Sequence, residues 1–236
     1  MSFARLYHST IDLLFPLTCG GCGCRLALDE DQVCAECLLK LPLEINRSWQ
    51  HNRRIAEWSD HDGVVGVGAF TRYTHDAISA HIIHSLKYYR RTALGQWMGR
   101  LAAQQLRASG LFDGVDAIVP LPLAPRRHRR RGFNQSVLIA QGMAAELGLP
   151  VLTGLLRRTG GFESQTRFTY HQRLENMKGA FALADGVDPI AMSGRHFLLV
   201  DDVITTGATM LSAITALEQI PAARFTAFGW AWVNTA

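Results

Sequence analysis

Apolar and polar positions along this chain follow two rhythms. Short runs rich in β-branched, aromatic and other apolar residues recur at Val64–Phe70 (VVGVGAF), Ala117–Leu121 (AIVPL), Phe197–Val200 (FLLV) and Arg224–Val233. Between them the period lengthens to that of a helix. His75–Arg90 and Ala93–Arg107 read as helices, the second with Leu94, Trp97, Met98 and Leu101 along one face. Asn134–Leu147 repeats Ile139, Met143 and Leu147 every four residues, and Gly148 and Pro150 stop it. Thr209–Gln219 carries Met210, Ile214 and Leu217 on one stripe. Strands alternating with helices predict an α/β fold, an open, mostly parallel twisted sheet with flanking helices. Thr159–Thr169 contains Gly160–Gly161 and little periodicity, which predicts a mobile loop.

The 236 residues, 48% hydrophobic, suffice for one core and a small appended module. Composition shifts near Asn46–Asp62, so we expect an N-terminal helix and Cys module over 1–50 and the α/β domain over 60–236. No run approaches the ~18–20 apolar residues of a membrane span. The N-terminal rhythm of Phe3, Leu6, Tyr7, Leu13 and Leu14 is broken by Asp12, with no small-residue cleavage site after it. The expectation is a soluble, cytoplasmic protein. Its net charge of +4 is local, because without Arg126, Arg127, Arg129, Arg130 and Arg131 the balance is −1. One intensely basic loop on a near-neutral protein predicts a local anion site rather than a broad nucleic-acid face.

All five cysteines lie within the first 37 residues. Cys19-x₂-Cys22 and Cys34-x₂-Cys37 form two knuckles, and Gly20 and Gly21 supply a tight backbone turn. A C-x₂-C turn places two sulfurs on one ion, and Zn²⁺ takes four such ligands at ~2.3 Å. The expectation is a structural zinc ribbon held by Cys19, Cys22, Cys34 and Cys37. Cys24 is either a substitute for Cys22 or a spare; reduced thiols in a loop, or a redox role, are the alternatives. His81 and His84, three apart on a helix, lack the spacing of a metal pair.

The richest stretch is Phe197–Met210, FLLVDDVITTGATM. A buried strand runs into Asp201 and Asp202, and Thr205-Thr206-Gly207-Ala208-Thr209 then opens a helix. Ligands of open α/β sheets bind beyond the carboxyl ends of the strands. A helix start there offers unpaired N–H groups and a positive dipole end, three Thr hydroxyls add donors, and Gly207 lets the backbone approach closely. This loop cradles a phosphate monoester. Two carboxylates beside it would repel phosphate, but they accept hydrogen bonds from vicinal sugar hydroxyls. The pair of features predicts a ribose 5-phosphate ligand. There is no Gly-Lys-Ser/Thr ending and no G-x-G-x-x-G. In the basic loop, Arg131, Gly132, Asn134 and Gln135 are the candidates for holding a diphosphate, since guanidinium binds phosphate oxygens bidentately. Lys87, ending an apolar helix face, either reaches a phosphate or caps its helix.

The segment Val200–Thr209 resembles the phosphoribosyl-diphosphate (PRPP) signature of type I phosphoribosyltransferases. With Arg131-Gly132-Phe133-Asn134-Gln135, the Cys knuckles, Ile82-Ile83-His84-Ser85-Leu86-Lys87-Tyr88 and Gln165…Arg173-Leu174-Glu175-Asn176…Phe181, nearly the whole chain resembles the ComF (GntX) family of competence-associated proteins. The resemblance implies a type I phosphoribosyltransferase-like domain that binds PRPP with Mg²⁺. It implies transfer of the phosphoribosyl group to a nitrogen nucleophile, releasing pyrophosphate, with Asp201 and Asp202 beside the developing charge. Gln165, Arg173 and Lys178 fall where that superfamily has its flexible catalytic loop. A nucleobase hood is expected from Val64–Tyr73 and Phe228–Trp232. The alternative is a non-catalytic accessory protein of DNA uptake, binding single-stranded DNA or a protein partner, whose PRPP-like site senses a nucleotide.

Overall fold

The computed structural model describes residues 16–44, 53–58, 60–159 and 179–233. Four strands form one wholly parallel sheet: β1 (Val64–Tyr73), β6 (Arg224–Val233), β5 (His196–Ile204) and β2 (Ala117–Pro120), in that spatial order. Parallel neighbours need crossovers, and the chain supplies them as helices: α3 (Ile78–Tyr88) and α4 (Thr92–Leu106) after β1, α5 (Pro125–Arg131) and α6 (Gln135–Leu147) after β2, and α7 (Ala208–Leu217) after β5. The short helices α1 (Ala35–Leu39) and α2 (Arg53–Glu57) precede the sheet, and β3 (Leu156–Arg158) and β4 (Phe181–Leu183) pair as an antiparallel hairpin.

Both faces of the sheet are covered, so its strands are apolar at successive positions rather than at alternate ones. In β5, Leu198 and Val200 face a core built with Ile82, Leu86, Met98 and Ile139, while Phe197 and Leu199 face one built with Met210, Ile214 and Leu217. On the first face α4 and α6 cross with almost no gap. A Cβ on Gly99 would sit 2.0 Å from the Ile139 carbonyl oxygen, and one on Gly142 would sit 2.0 Å from that of Gln96.

The Cys-rich segment docks on this body in two places. Leu43 bridges Thr71 of β1 in antiparallel fashion, and Glu44 receives Arg72 at 2.8 Å. Cys19, Cys34 and Cys37 join the buried cluster of α3 and α4, and the Ser85 hydroxyl donates to the Gly20 carbonyl at 2.7 Å.

Three expectations need correction. The acids do not follow the buried strand; they lie within it. β5 runs on to Ile204 because β6 still supplies backbone partners, Asp201 opposite Gly229 and Ile204 opposite Trp232. The basic loop is helical, with Pro125 at its first position and Gly132 capping it at φ 82°. β1 and the end of β6 form no hood: Phe228 and Trp230 are fully buried and Trp232 is 6% exposed, because β6 lies between two strands and under both layers. The predicted loop at Thr159–Thr169 lies, apart from Thr159, outside the described residues. Among the described residues no helix is long and apolar enough to cross a membrane.

Candidate functional site

The sheet opens where β2 ends. Its last pair is Pro120 with Val200, and the Leu121 N–H closes on the Val200 carbonyl. One residue further, β5 has no strand neighbour on that side among the described residues, and the β2–α5 and β5–α7 connections both leave the sheet from this end. Asp201 and Asp202 occupy this position. The Asp201 Oδ1 accepts from the Ser136 hydroxyl at 2.9 Å and from the Asp202 N–H at 2.8 Å. Burial and the Asp202 charge outweigh those bonds and push the Asp201 carboxyl up to about 6. Asp202 is 8% exposed and ion-paired with Lys87 of α3 at 2.7 Å.

The β5–α7 connection has the form of an anion cradle. Gly207 takes φ 84°, a conformation that L side chains rarely adopt, and as the N-cap residue of α7 it brings no side chain to the helix start. Thr206 is buried and its hydroxyl accepts from the Ala208 N–H at 3.4 Å, whereas Thr205 is exposed and Thr209 half-buried.

Across the gap, the Arg131 Nη1 donates to the Gln135 Oε1 at 2.9 Å, and its guanidinium lies 5.7 Å from the Tyr88 ring centre. The Arg131 Nε and Gln135 Nε2 are buried without a hydrogen-bond partner among the described residues. Asn134 is held at both ends: its Oδ1 caps α6 through the Ser136 N–H, and one N–H of its amide donates to the Leu121 carbonyl at 2.9 Å. It shapes the loop and keeps its second amide N–H for a ligand. Gly132 takes φ 82°, which disfavours any side chain, and a Cβ there would also push aside the flexible end of Arg90, 2.8 Å away. Arg126, Arg127, Arg129 and Arg130 are exposed on α5.

Two residues near the site were not legible in the sequence. Arg158, at the end of β3, stacks over Phe181 at 5.1 Å, and its guanidinium feels both Arg127 and Asp201. Burial lowers its pKa, and its Nε has no hydrogen-bond partner among the described residues. Its only signal was an Arg pair before Gly160–Gly161. Trp58 packs against Gly207 from the segment before the sheet, where the sequence carries no pattern at all. Gln165, Arg173 and Lys178 lie outside the described residues.

The thiols gather as expected, with one change of membership. Cys19, Cys22, Cys24 and Cys34 place their sulfurs within 4.8 Å of one another. Cys24 joins this group where Cys37 was expected. The reason is local: the Cys19 N–H donates to the Cys24 carbonyl, and this tight turn brings Cys24 back over the knuckle. Cys37 stays close, buried in α1 with its thiol against those of Cys34, Cys22 and Cys19. Burial pushes the Cys19 thiol up, but N–H donation from Cys34, Cys22 and Gly21 outweighs it and brings the group down to about 6. Backbone donors aimed at a sulfur favour thiolate, and four soft donors so disposed fit a tetrahedral ion.

Residues 130–227 match the model of the phosphoribosyl transferase domain. The chain is homologous to two further named proteins. Over 132 residues it is 36% identical to DNA utilization protein YhgH of Salmonella typhi, covering 55% of this chain and 56% of that protein. Over 205 residues it is 29% identical to Competence protein F of Haemophilus influenzae, covering 86% of this chain and 79% of that one. The match thus spans little more than half the length of the DNA utilization relatives. Adenine phosphoribosyltransferase from Saccharomyces cerevisiae aligns over 62% of this chain and 72% of its own, at 20% identity and a TM-score of 0.39.

Proposed function

We propose that this chain binds PRPP with Mg²⁺ at the carboxyl edge of its sheet and transfers the phosphoribosyl group to a nitrogen nucleophile. The observation that carries the reading is the pairing of two β5 carboxylates with an open anion cradle on the same connection, facing buried cationic donors across the gap. In this assignment the Thr205–Thr209 loop holds the 5-phosphate, and Asp201 and Asp202 accept from the ribose hydroxyls. Arg131 and Arg158 each keep a buried Nε without a hydrogen-bond partner among the described residues, which fits them to diphosphate oxygens. Gly132 and the Asn134 cap hold the loop that carries Arg131. Mg²⁺ bound with the ligand would supply positive charge at the leaving group. The C1–O bond to pyrophosphate breaks, the nitrogen forms the new bond to C1, and its proton leaves to solvent. Ionised Asp201 and Asp202 stabilise the positive charge that develops on the ribose ring.

Calorimetric titration with PRPP and Mg²⁺ tests the site: micromolar binding is expected, and a folded protein that binds neither PRPP nor ribose 5-phosphate would overturn the assignment. Release of pyrophosphate across a panel of nucleobases and amines then tests the transfer. Because Asp201 ionises near 6, PRPP affinity should rise from pH 5 to pH 7, with a midpoint close to that value. The Asp201→Asn variant should bind weakly with a much shallower pH profile. A slope unchanged by that substitution would remove Asp201 from the ribose contact.

A second reading is favoured by one feature, the four arginines exposed on α5. The relatives' names place them in DNA utilization and competence, and an accessory role would use this helix on single-stranded DNA. Its affinity would then fall steeply with salt.

We assign the thiol group to a structural Zn²⁺, consistent with a reducing cytoplasm. One zinc per chain is expected by metal analysis of protein purified under reducing conditions. Cys24→Ser should lower zinc retention at least as much as Cys37→Ser, measured with a colorimetric chelator. The opposite order would restore Cys37 as the fourth ligand.

A further inference from the structure

Trp58 stands outside the matched transferase segment, yet its indole is built into the phosphate loop. It follows α2, its N–H bonded to the Ile55 carbonyl, and its side chain is 1% exposed in the cluster that holds Ile204, Met210 and Leu211. The ring meets the loop along one edge. A Cβ on Gly207 would lie 2.4 Å from its Cζ2, 2.9 Å from its Cε2 and 3.1 Å from its Nε1. The edge that carries the N–H is therefore the one turned to the glycine. That N–H has no hydrogen-bond partner among the described residues. A buried indole donor is ordinarily satisfied, and one left open costs its full desolvation. Here it is left open beside the start of a ten-residue helix whose N-cap residue, Gly207, has no side chain to cap it.

We propose that Trp58 is a further ligand-binding residue of this site, its Nε1–H donating to the phosphate monoester held by Thr205–Thr209. The inference rests on the phosphoribosyl reading and deepens it by adding a donor from the polypeptide before the domain. It also gives Gly207 a second reason to lack a side chain. Beyond the backbone conformation at φ 84°, any Cβ would displace the indole edge that completes the cradle.

The test is a ¹⁵N-indole spectrum of the full chain, titrated with ribose 5-phosphate, with inorganic phosphate and with ribose. The Trp58 resonance is assigned with Trp58→Phe or, should that variant not fold, by its through-space contacts to Gly207. The Nε1–H signal is expected to move downfield with both phosphates and to stay in place with ribose. Trp58→Phe should weaken ribose 5-phosphate binding about tenfold. If the Gly207 amide shifts with phosphate while the indole signal does not, Trp58 is packing alone and the proposal falls, leaving the phosphate loop intact. If neither signal moves, the phosphoribosyl site itself is wrong and the proposal falls with it.

Discussion

Asp201→Asn and Asp202→Asn are expected to lose PRPP affinity alike, by roughly thirtyfold or about 2 kcal/mol each, while moving stability in opposite directions. Both lose a charged acceptor for ribose hydroxyls. Their folded environments differ. Asp201 is half-buried, and desolvation together with the neighbouring like charge raises its pKa to about 6. A carboxyl raised in this way favours the fold only in its protonated form. Its contribution is fully present below the unfolded pKa near 4 and is lost as pH rises through 6. At pH 7–8 the ionised group opposes folding. Asparagine, which still accepts from Ser136 and the Asp202 N–H, should therefore gain about 1–2 kcal/mol there and nothing below pH 4. Asp202 instead neutralises Lys87, whose side chain is 21% exposed. Asp202→Asn strands that ammonium and should cost about 1–3 kcal/mol at pH 7. Urea unfolding at pH 8 and pH 4, set beside calorimetry, reads both effects. Equal stability changes would mean that Lys87 does not discriminate between the two acids.

Gly99→Val, like its counterpart at Gly142, should be severely damaging although it touches no functional group. Its Cβ would lie 2.0 Å from the Ile139 carbonyl oxygen and 2.9 Å from the Met143 amide nitrogen, both backbone atoms that no rotamer change can move. The α4–α6 pair must then separate, at an expected cost of about 3 kcal/mol or more. Function should suffer before the fold is lost, because α6 carries Ser136 to Asp201 and Gln135 to Arg131. PRPP affinity should therefore drop even in the fraction that remains folded at low temperature. Wild-type-like melting of this variant would show that the crossing has room to open.

Much of the molecule was readable along the chain because its signals are local. Period distinguished strand from helix at Val64–Phe70 and Asn134–Leu147, and glycine and proline marked the stops. Asp201-Asp202 with Thr205–Thr209 carried the expectation of a phosphoribosyl site, since a strand, two acids and a small-residue turn are contiguous in sequence and need no partner to be recognised. The paired Cys spacing likewise pointed to one thiol cluster. The misreadings came where a neighbour decides. β5 continues through its acids because β6 lies alongside. The apolar run in β6 reads equally well as hood or core, and only its place between β1 and β5 makes it core. Seven residues, PRRHRRR, looked like a loop because charge masked a proline-started helix.

What the sequence determined by itself, then, was the class of fold and the run of acids and small residues from which the cradle is proposed, both written in short-range pattern. Tertiary structure decided which charges meet. Lys87 finds Asp202 across 115 residues, Arg158 comes within reach of Asp201 from a hairpin, Cys24 joins Cys19, Cys22 and Cys34 through one backbone turn, and Trp58 brings its N–H edge against Gly207. Such pairings depend on how helices and strands pack, and packing is set by the sum of many weak contacts that no local window contains.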